Sequence, residues 1–256
     1  MKTALIGFTG FVGSNLLRQK QFDDLYNSKN IDDICGKHYD LLFISALPAA
    51  KWLANQYPEK DKAQINKLAR CLEKVQADQV LLISTVDVYP NPVGVNEETE
   101  IEIETCQAYG KHRLEFEFFV KNLFDTKIVR LPGLFGQGLK KNIIYDFLNN
   151  NNIEQIESRN NFQFYSLENI ADDIDKVLNT NIKLLNLATE PVSVIEVAAH
   201  CLFKDFKNEL DKKPLVQYDF RSIHVNTWGG KNGYLYSKNQ VLSDLEQYVS
   251  TIIEAR

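Results

Sequence analysis

Three features are scarce or missing in this 256-residue sequence, and each absence excludes a class of protein. No stretch approaches the roughly 20 apolar residues that a membrane-spanning helix needs. Positive charge is not in excess, since the net charge is −5, which argues against an extended nucleic-acid surface. The cysteines are few and scattered, without a CxxC pair or clustered histidines (Cys35, Cys71, Cys106 and Cys201). We therefore expect no structural metal and no disulfide framework, as in a reduced, cytoplasmic protein.

What remains is the composition of an ordinary globular protein, with 44% hydrophobic and 25% charged residues. The sequence also has no internal repeat and no low-complexity linker. A chain of this length buries a full core as one large domain, or as one domain with a small lobe.

The first 17 residues carry the most informative pattern. A short apolar run, residues 4–6, predicts a buried strand; Gly7, Gly10 and Gly13 follow, and an amphipathic helix then begins. Gly7 permits a tight turn, Gly10 lets a ligand approach the backbone, and Gly13 lets the helix pack closely on the strand. The helix N-terminus would then face a pyrophosphate. The alternative is an ordinary strand–turn–helix.

Strand and helix patterns alternate up to about residue 132. Apolar strand patterns occur at residues 21–26, 39–45, 79–85 and 126–131, and helical patterns at 60–75 and 105–123. This alternation predicts an α/β protein with a doubly wound parallel sheet covered by helices on both faces.

The alternation loosens beyond Pro132. Helices are predicted at residues 142–148, 167–178, 194–203 and 241–253, with short strands at 162–166 and 184–187. We expect a dinucleotide-binding domain formed by residues 1–132 plus about 166–188. A small C-terminal substrate lobe would comprise about 133–165 plus 189–256.

Four short motifs occur along the chain in an order that is typical of one protein family. They are Gly7-Phe-Thr-Gly10-Phe-Val-Gly13, Ser84-Thr85-x-x-Val88-Tyr89, Tyr109-Gly-Lys-His-Arg113 and Arg130-Leu-Pro-Gly-Leu-Phe-Gly136. Together they resemble an extended short-chain dehydrogenase/reductase of the NAD-dependent epimerase/dehydratase type, and the resemblance covers most of the chain. It implies a Rossmann fold, a nicotinamide cofactor and a nucleotide-sugar substrate. It also implies a homodimer, because helices flanking the tyrosine often pair in that family.

The resemblance implies three roles at the candidate catalytic site. Tyr109 would exchange a proton with the substrate while hydride moves to or from nicotinamide, and Thr85 would bind the same substrate oxygen. Asp87 would share the orientation of Thr85 on a strand end. It is either a second proton donor or ligand of a substrate hydroxyl, or a carboxylate that caps the following turn.

Arg113 stands where the resemblance calls for lysine. It would keep a positive charge beside the Tyr109 phenol and hold the nicotinamide ribose, but the two side chains are not equivalent. Either the site works with arginine, or the protein is a non-catalytic dinucleotide-binding sensor or scaffold.

The expected cofactor is NADP, with NAD as the alternative. The predicted phosphate-binding residues are those of the glycine-rich loop: Gly7, Thr9, Gly10, Phe11, Val12 and Gly13. Asn27, Ser28 and Lys29 follow the second strand, where a carboxylate would indicate NAD, and they suit a 2′-phosphate instead. A weaker pattern suggests a substrate diphosphate site at Lys140, Lys141, Asn142, Arg159, Arg221 and His224.

Overall fold

The computed structural model describes residues 1–211 and 214–255, and its centre is a six-stranded parallel sheet. The strands of this sheet are β1 (Thr3–Ile6), β2 (Asp24–Tyr26), β3 (His38–Ile44), β4 (Gln76–Thr85), β5 (Thr126–Leu131) and β9 (Leu184–Asn186). Their spatial order is β2-β1-β3-β4-β5-β9. The predicted doubly wound α/β fold is thereby confirmed.

The other described elements are short strands, eight α-helices and several 3₁₀ turns. The short strands are β6 (Gly133–Phe135), β7 (Asn161–Phe162), β8 (Phe164–Ser166) and β10 (Val192–Ser193). The helices are α1 (Phe11–Gln19), α2 (Lys51–Gln56), α3 (Pro58–Leu72), α4 (Ala108–Leu123), α5 (Ile143–Asn149), α6 (Ile170–Leu178), α7 (Val194–His200) and α8 (Lys238–Glu254). None of the helices in the described part of the chain is long and apolar enough to cross a bilayer.

The strand order reverses between β1 and β3, which is the point where ligands bind in open α/β sheets. Ala4 to Ile6 of β1 pair in parallel with β2 on one side and with β3 on the other. The chain leaves β1 through Gly7 and leaves β3 through Ser45. The glycine-rich loop therefore lies at the topological switch point.

Apolar side chains fix the sheet and its helices. Every residue of β5 is buried, as expected of a strand covered on both faces. Ile65, Leu68 and Leu72 of α3 pack into the same core as the buried residues of β3 and β4. Their spacing of three and four residues is the helical repeat that the sequence shows.

The chain divides into two compact units. Unit 1 comprises Met1–Asn91, Thr99–Arg130 and Asn169–Leu185; unit 2 comprises Pro92–Glu98, Leu131–Glu168 and Asn186–Arg256, of which 212, 213 and 256 lie outside the described residues. Unit 2 has its own core, formed mainly by apolar residues of α5, α7 and α8. The role of this second unit in substrate binding stays a prediction.

One loop segment of unit 2 comes from far upstream in the sequence. The carboxylate of Glu97 accepts hydrogen bonds from the backbone N–H groups of Asn186 and Ile223 at 2.8 and 2.9 Å, and from the Ser222 hydroxyl at 2.6 Å. These three bonds attach residues 92–98 to unit 2.

Several predicted elements differ from the structure. Helix α2 was not predicted, and β2 begins at Asp24 rather than at residue 21. The strand predicted at 162–166 is divided at Gln163, whose side-chain amide bonds the backbone of Thr189 and Phe220 instead. The last helix begins at Lys238, because Ser237 and Gln240 form a capping box there.

Candidate active site

The glycine-rich loop is shaped by two close backbone approaches. Gly7 has φ +93°, a conformation that favours glycine, and a Cβ there would overlap the Ser45 carbonyl. A Cβ on Gly13 would overlap the Gly7 carbonyl, so this glycine allows α1 to pack on the strand end. Both observations match the roles that the sequence predicts for these two glycines.

The start of α1 presents backbone N–H groups. Gly10 is the N-cap residue and carries no side chain that could accept from them. Thr9 and Gly10 are exposed, and Phe11 and Val12 are partly exposed. An added Cβ on Gly10 would lie 3.2 Å from the Gly7 carbonyl oxygen, so even alanine is tight there. The residues fit an anion at a helix N-terminus.

The turn after β2 is ordered by its asparagines. The Asn30 side chain accepts from the backbone N–H of Asn27 at 2.7 Å, and the Asn27 side chain accepts from that of Lys29 at 2.9 Å. Ser28 and Lys29 are exposed, and within the described residues the Lys29 ammonium forms no ion pair. The turn thus offers one hydroxyl and one uncompensated charge.

Tyr109 lies in the first turn of α4 with 8% of its surface exposed. Its phenol hydrogen-bonds Thr85, and the guanidinium carbon of Arg113 lies 3.9 Å from the centre of its ring. Burial raises the pKa of Tyr109, outweighing the lowering by the Arg113 charge and the Thr85 hydrogen bond. Asp87 and Asp61 raise that pKa further. The structure therefore favours the neutral phenol.

The expectation that Asp87 continues the strand beyond Thr85 is wrong. β4 ends at Thr85, and Val86–Val88 form a 3₁₀ turn in which the Thr85 hydroxyl accepts from the Asp87 backbone N–H at 3.1 Å. The Thr85 hydroxyl thus caps the start of this turn. The Asp87 carboxylate instead pairs with Lys51 of α2 at 2.8 Å.

Arg113 is held by a buried carboxylate. Its Nη1 and Nη2 donate to the two oxygens of Asp61 at 2.5 and 2.9 Å, and Nη2 also donates to the Pro48 carbonyl at 2.5 Å. Arg113 is 2% exposed and Asp61 5% exposed. The pair is bidentate, a geometry that lysine cannot reproduce. Nη1 and Nη2, which were predicted to hold a ribose, are thus engaged inside the protein, whereas Nε is buried without a partner among the described residues.

Asp61 carries a third contact, because the His112 Nδ1 lies 2.7 Å from its Oδ2. Hydrogen bonds from Arg113 and His112 lower the pKa of Asp61 against the opposing effect of its burial. The carboxylate is therefore stabilised in its charged form.

Helix α2 contacts both parts of the candidate site. Lys51 at its first turn pairs with Asp87, and Asn55 one turn later accepts from the Tyr109 backbone N–H at 2.9 Å. Asn55 also donates to the Gln107 side chain at 2.7 Å. Gln107 is the N-cap of α4 but makes no capping bond of its own, so Asn55 supplies the acceptor that it lacks.

A second buried ion pair lies one turn further along α4. Arg130 of β5 donates to both oxygens of Glu117 at 3.0 and 2.6 Å and to the Tyr89 hydroxyl at 2.8 Å. The Ser84 hydroxyl donates to the same carboxylate at 2.5 Å. This network joins α4 to β5 and to both sides of the Thr85 turn.

Sequence reasoning missed Asp61 and Gly110, although both leave a signal. Asp61 lies four residues before Ile65 on the apolar face of α3, where a carboxylate needs a partner. A Cβ on Gly110 would overlap the Asp87 carbonyl, so this glycine permits α4 to approach the turn after β4. A glycine inside a helical pattern often has such a packing reason.

The suggested diphosphate residues have other partners in unit 2. Arg159 pairs with Glu157, Arg221 pairs with Asp219, and the Asn142 side chain caps α5. Lys140 and Lys141 are exposed. The described residues contain no group of three or more His, Cys, Asp or Glu that could hold a metal ion.

Several solved structures that superpose on this chain are nucleotide-sugar enzymes. A dTDP-4-dehydrorhamnose reductase from Clostridium acetobutylicum superposes with a TM-score of 0.76 at 17% identity, covering 99% of this chain and 100% of that one. A UDP-N-acetylglucosamine 4-epimerase from Methanobrevibacter ruminantium, in complex with UDP-N-acetylmuramic acid, gives 0.74 at 15% identity, covering 100% and 99%.

A dTDP-4-dehydrorhamnose reductase from Bacillus anthracis in complex with NADP gives a TM-score of 0.72 at 16% identity, covering 100% of this chain and 99% of that one. No protein-family profile and no curated protein matches the sequence. At these identities the likeness establishes the fold.

Proposed function

We propose that this protein is an NAD(P)-dependent oxidoreductase, a reductase or epimerase, that acts on a nucleotide-activated sugar with Tyr109 as the acid/base. The observation that carries the proposal is the buried contact of the Tyr109 phenol with Thr85 at the end of β4. It lies in the same unit as a glycine-rich loop at the switch point of the sheet.

The structural neighbours support the same class of substrate and cofactor. One was solved with NADP, and the epimerase was solved with a UDP-sugar derivative. Both match this chain over nearly its whole length. We extend that class of chemistry to this protein on the basis of the Tyr109 site.

The chain offers two parts of a dinucleotide site. The N–H groups at the start of α1 would bind the pyrophosphate, and the Ser28 hydroxyl and the Lys29 ammonium would bind a 2′-phosphate. Bound nicotinamide supplies or accepts the hydride. Thr85 orients the substrate oxygen, and Tyr109 holds the proton that this oxygen gains or loses.

The role of Arg113 differs from that of the lysine it replaces. Its Nη1 and Nη2 groups are directed to Asp61 and Pro48, so we propose that it fixes the Tyr109 ring by stacking and does not hold the nicotinamide ribose. The site then works with arginine as a structural partner of its tyrosine.

Cofactor binding and turnover test the proposal separately. We expect NADPH to bind and to be oxidised when a panel of nucleotide keto-sugars is offered. Gly10→Val should abolish binding at some cost in stability, because its Cβ would lie 3.2 Å from the Gly7 carbonyl oxygen. The protein should still unfold cooperatively, because Gly10 is exposed at the start of α1 and is not part of the core. Tight NADPH binding without turnover on any sugar would favour the sensor or scaffold alternative.

A further inference from the structure

We infer that this site is built for one direction of the proposed reaction, the reduction of a keto group on a nucleotide sugar, because the Tyr109 ring is buried and the cation stacked on it is paired with a buried carboxylate. The inference rests on the proposed function and decides between its two forms. A reductase needs a tyrosine that donates a proton, whereas an oxidation of a hydroxyl, the first step of a keto-intermediate epimerisation, needs one that accepts it.

The cation beside the phenol is compensated by a buried anion. Arg113 stacks on the Tyr109 ring, but its Nη1 and Nη2 both donate to Asp61, a carboxylate that is 5% exposed. The pair carries no net charge. Because a cation stabilises phenolate through its net field, this pairing offsets part of the stabilisation that an unpaired cation would give.

The other charged groups around Tyr109 also balance. Asp87 approaches from the 3₁₀ turn after β4 and pairs with Lys51 of α2, and Thr85 hydrogen-bonds the phenol itself. The charged groups contributed by α2, α3, α4 and this 3₁₀ turn are therefore two carboxylates and two cations, arranged as two ion pairs, and His112 of α4 is a further partner of Asp61. Burial of the ring then decides its protonation, and it favours the neutral form.

The atoms and electrons of the reduction balance when Tyr109 is the proton donor. The carbonyl carbon of the substrate gains a hydride from reduced nicotinamide, and the electrons of the C=O π bond move to its oxygen. That oxygen takes the proton from Tyr109 Oη. The products are a hydroxyl, oxidised nicotinamide and a tyrosinate that regains its proton from solvent.

The protonation of Tyr109 is measurable without any substrate. The protein is labelled with 3-fluorotyrosine, whose fluorine lowers the phenol pKa into the range where proteins stay folded, and the Tyr109 resonance is assigned with Tyr109→Phe. We expect its ¹⁹F titration midpoint to lie at least about one pH unit above that of free 3-fluorotyrosine. A midpoint at or below that of the free amino acid would overturn the inference.

Variants that each remove one carboxylate test whether the charges around Tyr109 set its titration midpoint. Asp61→Asn leaves Arg113 uncompensated, and Asp87→Asn removes a carboxylate from a side chain that is 20% exposed and so carries less risk to folding. Each should lower the Tyr109 midpoint. Asp125→Asn, which removes a carboxylate from an exposed surface pair with Lys183, is the matched control and should leave it unchanged. An unchanged midpoint in a folded Asp87→Asn protein would contradict the electrostatic account.

Turnover in both directions completes the test. Keto-sugar nucleotides with NADPH should react at least tenfold faster at pH 7 than the corresponding hydroxyl compounds with NADP or NAD. Efficient oxidation or epimerisation at pH 7 would refute the inference while supporting the proposed function. If no sugar reacts in either direction, the proposed function itself fails, whatever the fluorine titration shows.

Discussion

A cation four residues after a tyrosine on a helix can influence the tyrosine phenol in one of two ways. The cation acts freely on the phenol, or a third residue neutralises it. The sequence indicates the first outcome, because Tyr109 and Arg113 share one helix face. The structure shows the second, because Asp61 of a different helix reaches the guanidinium. A pattern within one helix cannot report a partner that comes from another.

Arg113→Ala should destabilise the protein, because the variant leaves the Asp61 carboxylate buried with only His112 beside it. We expect the free energy of unfolding to fall by about 3–5 kcal/mol, as for other buried pairs that lose one partner. Arg113→Lys should lose less, because it keeps the charge but not the bidentate geometry. Urea unfolding of both variants measures the losses.

Lys20→Ala is the matched control for the Arg113 variants. Lys20 pairs with Asp175 at 2.6 Å near the surface, where ion pairs contribute about 0–1 kcal/mol. Equal losses of unfolding free energy in Lys20→Ala and Arg113→Ala would show that the buried pair stabilises the protein no more than a surface pair does.

Tyr109→Phe removes only the oxygen that transfers the proton. We expect turnover to fall about 10²-fold or more, while the dissociation constant of NADPH changes little. Steady-state kinetics and a fluorescence titration provide the two measurements. Tyr145→Phe, on α5 of unit 2, is the control and should retain wild-type turnover. Retained turnover in Tyr109→Phe would remove this residue from the chemistry.

Lys29→Ala tests the choice of cofactor. If the exposed ammonium binds the 2′-phosphate, its loss should weaken NADP binding by about 1.5–3 kcal/mol and leave NAD binding unchanged. Calorimetric titration of both dinucleotides gives the comparison, with Lys67→Ala on α3 as a control of equal charge change. A wild-type protein that prefers NAD, with Lys29→Ala neutral, would point to backbone contacts with the ribose.

At the scale of elements, the sequence predicts the bounds of a strand or helix best where a single hydrophobic pattern runs through the whole element. β5 has the predicted bounds, residues 126–131, and every residue in it is buried. Helix α2 was missed because its six residues show no clear apolar face, and Trp52 is largely exposed. The turn after Thr85 was missed because its hydrogen bond competes with strand geometry over only three residues.

Helix α2 acts on the candidate site through Asn55, and this role is testable. Asn55→Ala removes the acceptor of the Tyr109 backbone N–H, so the first turn of α4 should loosen. We expect a loss of about 1 kcal/mol in the free energy of unfolding, as for other helix caps. Because Tyr109 lies in that turn, kcat should fall further than the affinity for NADPH.

Asn55→Asp separates two contacts of Asn55, the acceptance from the Tyr109 backbone N–H and the donation to the Gln107 side chain. Aspartate retains an acceptor for the Tyr109 N–H but cannot donate to Gln107. It should therefore restore most of the kcat lost in Asn55→Ala, as measured in parallel kinetic and urea-unfolding experiments. Equal kcat values for the two variants would exclude capping of α4 as the role of Asn55.

At the scale of the whole molecule, the sequence predicts the sheet better than the partition of the chain. Alternating patterns indicate the parallel sheet directly. Unit 2, however, includes Pro92–Glu98, which Glu97 attaches through contacts with residues some 90 and 125 positions away. Such contacts leave no local pattern, so sequence periodicity cannot assign that loop to either unit.

Glu157 links distant parts of unit 2 and makes its stability depend on pH. Its carboxylate accepts from the Arg159 guanidinium and from the backbone N–H groups of Arg159 and Leu210. Chiefly through the Arg159 hydrogen bonds, these contacts lower the pKa of Glu157 to about 2. Because this folded-state pKa lies below the unfolded value of about 4.3, the stabilisation is present above the unfolded pKa and is lost as the pH falls toward 2.

Glu157→Gln should therefore destabilise unit 2 at pH 7, and the difference from the wild type should close between about pH 4.5 and pH 2. Each unit holds one tryptophan, Trp52 in unit 1 and Trp228 in unit 2, so a Trp52→Phe background reports on unit 2 alone. Urea titrations followed by Trp228 fluorescence at several pH values give the comparison. Glu209→Gln, which removes the weaker and exposed partner of Arg159, should show only a small difference at pH 7. A difference between Glu157→Gln and the wild type that stays constant from pH 7 to pH 2 would show that the charge of Glu157 does not stabilise unit 2.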